Sequence, residues 1–283
     1  MVEFVIVVVP LLLLILGAIQ FGLIYNAKIT LNYAAFETAR AGSLTGARMI
    51  FMENAFARAL APLYTNSWRG SMDECANQYP LDRYLDETAS DVPPDGQSTE
   101  LTHEHFECAR EHVRDMINPP AGERAWVRIV RVNPAPESFM DYGVQAPQVI
   151  DLDPAADSAL NSVLVIPNDN LVYRSSAEGA NSGQSIQDAN LLKVHVSFCY
   201  ELVVPFVRQV MRQIMAPQGG DTGIGIVRDA TPFDGPGVIV GGDGFRLECA
   251  QNGGIALYAQ SMMRMQFPAV QELNDCVGWC ATP

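Results

Sequence analysis

The chain has 283 residues, 32 Asp and Glu against 18 Lys and Arg, and a formal net charge of −14. A phosphate backbone repels that surplus of negative charge, which excludes sequence-independent nucleic-acid binding. Apolar residues make up 48% and charged residues 18%, a composition that can bury a core and excludes wholesale disorder. The length suits one membrane segment plus one domain of ordinary size.

The first element is an uncharged run of 21 residues from Phe4 to Ile24. As a helix it rises about 30 Å, the thickness of a bilayer core. Pro10 and Gly17 lie within it and are tolerated in membrane helices, where neighbouring helices and water satisfy freed backbone groups. A cleavable signal peptide needs a basic flank and a shorter apolar core. Here Met1, Val2 and Glu3 precede the run, and the small-residue triplet Ala39-Arg40-Ala41 lies far downstream, so the span is read as retained. Lys28, the first basic residue, follows it, so charge flanks do not set the orientation. Glu3 stands at the edge of the run, where a carboxylate is costly and usually has a partner.

Glu3-Phe4, the run with Pro10 and Gly17, Gln20-Phe21-Gly22, and Asn32-Tyr33-Ala34-Ala35 with Glu37, Ala39, Arg40 and Gly42 together resemble the N-terminal signature of TadE-like minor pilins. The resemblance covers Val2 to about Ala47, roughly one sixth of the chain. In that family a short basic leader is removed by a prepilin peptidase, and the numbered chain is expected to begin after that leader or at an internal methionine. The resemblance implies that Glu3 neutralises the terminal amine of an adjacent subunit within lipid, where a mispaired register leaves a buried charge. It also implies an assembly role for Phe4, Pro10, Gly17, Phe21 and Gly22. The implied partners are other pilins or pseudopilins, the pilus assembly platform and membrane lipid.

Beyond the span, Tyr33, Phe36, Ala39, Leu44, Phe51, Ala55, Ala59 and Leu63 recur at roughly helical spacing, which predicts that the helix continues as a stalk over 25–66. Its apolar stripe can pack on its own domain and on neighbouring helices. The small residues Ala34, Ala35, Ala39, Ala41 and Gly42 permit close approach in the latter. The predicted organisation is an N-terminal helix over 1–66 and a periplasmic domain over 67–283. Within that domain the pattern predicts an acidic helical segment over Asp73–Thr88, a loop over Ser90–Thr99 and a helix over Leu101–Ile117. Strands are predicted at Trp126–Val132, Ser162–Ile166, Leu191–Tyr200 and Ile255–Phe267, with alternating apolar and polar residues in the last two. A short amphipathic helix is predicted over Val203–Met215, with Arg208 and Arg212 off its apolar side. The fold class is α+β, with an antiparallel sheet.

All six cysteines, Cys75, Cys108, Cys199, Cys249, Cys276 and Cys280, follow the span. An even number on one side of a membrane points to disulfides in an oxidising, periplasm-like compartment. Six cysteines allow fifteen connectivities, and the expected set is Cys75–Cys108, Cys199–Cys249 and Cys276–Cys280. The rival use is metal binding, because His103, His105, Cys108 and His112 cluster. Zinc sites prefer tighter ligand pairs backed by a second pair, so the cluster is read as a solvated helix with one disulfide cysteine. His195 is read as surface- or loop-facing.

Residues 219–254 hold eleven glycines, together with Asp221, Asp229, Asp234 and Asp243. No calcium-loop pattern fits them, so they are read as a long loop with Asp-Gly turns. Phosphate-cradle and nucleophile-elbow motifs are absent from the sequence. No cofactor, metal or catalytic residue is expected, and the chain is read as a structural protein of the inner membrane whose exported domain takes part in pilus assembly, priming or tip display. The alternatives are a membrane-anchored binding module acting through its Gly/Asp loops, and an anchored hydrolase using His105 or His195.

Overall fold

The computed structural model describes residues 2–65, 97–120, 124–145, 163–204 and 244–271. Helix α1 (Val2–Leu44) is followed by α2 (Met49–Leu60), a 3-10 turn at Ala61–Leu63, and α3 (Gln97–Ile117). Strand β1 (Val127–Asn133) leads into α4 (Pro136–Tyr142) and the two short strands β2 (Val144–Gln145) and β3 (Leu164–Ile166). The one-turn α5 (Ile186–Ala189) precedes β4 (Leu191–Glu201), and α6 (Gly244–Gln251), β5 (Gly254–Arg264) and β6 (Ala269–Val270) complete the order. The fold is α+β with antiparallel sheets, as the alternation predicts.

The main sheet has the order β1-β4-β5. Pairing sets Val127 opposite Phe198 and Val196 opposite Ala259, so Leu192, Val194, Val196 and Phe198 share one face with Val127, Ile129 and Ala259. That face is fully apolar and buried beneath α1 and α2 in a single core. A second small sheet, β2-β3-β6, packs Val165 and Val270 with Val144 and Val163.

The predicted stalk is not one helix. α1 ends at Leu44 and α2 begins at Met49, because Gly46 and Ala47 take the left-handed region at φ of 74° and 60°. The Ala47 amide closes the turn by donating to Gly42 O at 2.7 Å, and Arg131 Nη1 donates to Ala47 O at 3.0 Å. A Cβ on Gly46 would stand 2.7 Å from Val270 Cγ2, so both its dihedral and its neighbours require glycine. α2 folds back on α1 as a helical hairpin, with Met52 against Gly42, and the apolar spacing that sequence reads as continuous is shared between two packed helices.

The observed strands match the predicted ones to within three residues at each end, and α3 begins four residues before the predicted start. One segment of the Gly/Asp loop differs: 244–251 is helical. The predicted helix over Val203–Met215 is not formed at Val203 and Val204, and 205–215 lie outside the described residues, as does Asp73–Thr88.

Candidate functional site

Chemistry on the described surface is sparse, and α1 carries the remaining candidate. Its buried side comprises Gln20, Ala27, Leu31, Ala34, Thr38 and Gly42, with spacings of three, four or seven that keep one stripe against a partner layer. Thr38 Oγ1 donates to Ala34 O at 2.7 Å within the helix, so its hydroxyl is satisfied inside the core. Lys28, the first charged side chain past the apolar run, donates from Nζ to Tyr258 O on β5. The top of the helix is tied as well: the amides of Gln266 and Phe267 both donate to Ser43 O at 3.0 Å.

The opposite side is apolar too, and open. Phe21 is 60% exposed, Tyr25 69% and Tyr33 55%, and Ile29, Phe36 and Leu44 continue the row. Successive members are three, four or eight residues apart, so they form one stripe. The small residues Ala34, Ala35, Ala39 and Gly42, expected at contacts between neighbouring helices, are instead buried against the chain's own sheet and α2. The sequence distinguishes small from large residues on α1. It does not show which of the two the domain takes.

Of the other sequence-predicted residues, Glu3 and Phe4 lie in the first turns of α1, and their side chains are outside the described part. Pro10 sits inside the helix and is exposed. Among the described residues, Gly17 and Gly22 have no atom within 4 Å of where a Cβ would stand, so neither serves a close approach to them. Cys199 and Cys249 form the expected disulfide, with Cα atoms 5.5 Å apart. Cys108 is disulfide-bonded as well; Cys75, Cys276 and Cys280 fall outside the described residues.

His195 is not at the surface. It is 3% exposed, and Gln260 Nε2 lies 2.9 Å from its Nδ1, with the Tyr258 ring centroid at 5.8 Å. Alternation along β4 separates the two faces of the sheet correctly, but α6 covers part of the second face, packing Phe245 and Cys249 on Cys199. Of the His103, His105, Cys108 and His112 group, the side chains at 103 and 105 are outside the described part. His112 packs edge-on against Tyr64 at 5.1 Å. Among the described residues no group of three or more His, Cys, Asp or Glu could hold a metal ion.

Burial holds the His112 pKa below its ordinary 6.5, against an upward pull from Asp115. A depressed histidine pKa means the folded state binds fewer protons, so stability is complete above about pH 6.5 and declines as pH falls below it. Melting temperature is therefore expected to drop between pH 6.5 and 5, with a shallower slope in His112→Phe. An equal slope in the variant would show that His112 does not carry it. Asp141 has a different job: hydrogen bonds from the Ser182 amide and hydroxyl, joined by Asn181 and opposed by desolvation, hold its carboxyl down to about 2. It fastens the loop at 179–182, with Gly179 too close to admit a side chain, and offers no proton near neutral pH.

Among the described residues, α1 is the one helix long and apolar enough to cross a membrane. It carries an apolar row on each side and a domain on only one.

Residues 1–40 match the TadE-like protein family.

From Val2 onward the TadE-like segment lies within α1. It holds the run, Gln20-Phe21-Gly22 and Asn32-Tyr33-Ala34-Ala35 of the resemblance, while Gly42 and the turn at Gly46 lie just beyond it. No curated protein and no solved structure matches the chain.

Proposed function

We propose that the chain is a structural, non-enzymatic subunit resembling a minor pilin, anchored by α1 in the inner membrane with its domain on the periplasmic side. It takes part in assembling, priming or tipping a Tad-type pilus by packing α1 against other pilins. The observation that carries this reading is the open row Phe21, Tyr25, Ile29, Tyr33 and Phe36. It continues past the predicted end of the span at Ile24, where lipid would no longer cover it, and contiguous exposed apolar surface of that kind marks an interaction site. The TadE-like match supports involvement with a Tad pilus. The Cys199–Cys249 bond supports an oxidising compartment.

The test is to replace Tyr33 by glutamate, and separately Glu3 by alanine, in cells that make the pilus. Both variants are expected to insert in the membrane and, for Tyr33→Glu, to melt as the wild type does, because Tyr33 lies outside the core. Both should leave few or no pili on the cell surface. Wild-type pilus numbers in both would overturn the proposal.

A further inference from the structure

The apolar run and the domain overlap in height. Gln20 lies inside the Phe4–Ile24 run, yet it is fully buried, and its Oε1 accepts the Val204 amide at 2.9 Å. Leu202 and Val204 are buried with it, packed on Leu16, Ile24 and Ile255. The segment leaving β4 thus descends along α1 to the level of Leu16–Gln20. Counted from Phe4, the run is clear of these contacts only as far as Ile15. Those 12 residues rise about 18 Å, whereas a bilayer core is about 30 Å thick. The missing depth has to come from residues 16–24, which lie beside the lower rim of the domain.

The rim is built for that level. Val203 is 59% exposed, and on α1, at the level of Gln20, Ile19, Phe21 and Leu23 are exposed too. The run of three after Glu201 carries no charge, and the backbone amide nearest α1 is satisfied by Gln20, as a site bordering hydrocarbon requires. We infer that the Leu202–Val204 rim rests in the headgroup and acyl boundary of the bilayer, giving the domain a second lipid contact besides its helix. Gln20 fastens the rim at this depth through its Oε1, while its Nε2 is buried with no hydrogen-bond partner among the described residues. The domain is therefore seated on the membrane at fixed height and rotation, not raised on a free stalk. This inference requires α1 to cross the membrane but does not depend on which fibre, if any, the chain joins.

The test uses the full chain in vesicles of phosphatidylethanolamine and phosphatidylglycerol, with a nitroxide attached through Val203→Cys and collision with oxygen or a water-soluble nickel complex as the readout. Leu14→Cys, within the clear part of the run, provides the lipid reference. Tyr173→Cys provides the aqueous reference, being 90% exposed and near α5, which precedes the far end of β4. The Val203 label is expected to resemble Leu14, open to oxygen and severalfold less accessible to nickel than Tyr173. A label as accessible to nickel as Tyr173 would overturn the inference, since the bilayer would then have thinned instead. A label shielded from both reagents would also overturn it, because a second protein chain would then cover the rim. Val203→Trp, read as the added fluorescence that brominated lipid quenches, gives the same decision if the labelled chain melts below the wild type.

Discussion

A chain carrying Cys199→Ser and Cys249→Ser is expected to lose about 2–4 kcal/mol of stability. The bond closes a loop between positions 50 apart in sequence, and releasing a loop of that size restores much conformational freedom to the unfolded chain. It also detaches α6 from the sheet. Without it, α6 keeps Phe245 in the small cluster with Trp126 and Ala256, the Arg128 guanidinium 5.2 Å from the Phe245 ring, and an exposed Arg124–Glu248 pair at 3.4 Å. A solvated ion pair contributes little. The check is urea unfolding of the oxidised, detergent-solubilised protein, in which the variant should show an earlier midpoint. Reducing the wild type should cost more than the double substitution, because Cys108 is bonded too. An unchanged midpoint in the variant would show that the bond does not hold α6. Gly254→Ala should move in the same direction by less, since its Cβ would stand 2.6 Å from Cys199 Sγ and 2.9 Å from Cys249 Sγ.

Gly42→Ala is expected to destabilise by about 1–3 kcal/mol, the usual cost of overpacking a filled core. A Cβ at this position would stand 2.6 Å from both Leu192 Cδ2 and Met52 Sδ, and both of those side chains are fully buried. Each of the three elements in contact is tied elsewhere, so the clash is relieved only by moving α1 away from the sheet or α2 away from α1. Gly17→Ala and Gly22→Ala are the controls. They meet nothing within 4 Å among the described residues and remove a poor helix former, so their melting temperatures should equal the wild type or exceed it slightly. Thermal melts of the three proteins in one detergent decide the matter. If Gly42→Ala melts with the other two, the tight three-way contact is wrong.

Much of this architecture was legible because the relevant signals are local. An uncharged run of bilayer length, strict alternation along 191–200 and 255–267, and cysteines confined to one side of the run each declare themselves within a short window. The Cys199–Cys249 pair was one expected choice among fifteen connectivities and came from no local signal. The helix reversal was not legible, since Gly46 alone tolerates either a helix or a turn, and what decides between them is the approach of Val270, Pro268 and Phe267 from more than two hundred residues away. His195 was misplaced for a similar reason. Alternation identifies two faces of a strand but is silent on whether another element covers the polar one. In the sequence, Gln20 stands out only within the Gln20-Phe21-Gly22 resemblance, where nothing local names its partner. Its acceptor role exists only because a chain segment 184 positions later comes down beside it. Beyond the span, the spacing on α1 reads as one apolar stripe that mixes Ala39 with Tyr33, Phe36 and Leu44; the structure divides these between two sides, small residues admitting the sheet and large ones remaining outside.

Ile24 and Ile255, the latter at one end of β5, pack on the same Leu202–Val204 cluster, Lys28 reaches Tyr258 further along, and Ser43 takes the amides of Gln266 and Phe267 just past the other end. Helix and strand therefore run in the same direction, fastened at intervals along their length. Tension applied along α1 loads those fastenings together, in shear, instead of opening them one after another as a peeled edge would. A pull on the anchor is shared by the strand and, through its neighbour β4, by the whole sheet.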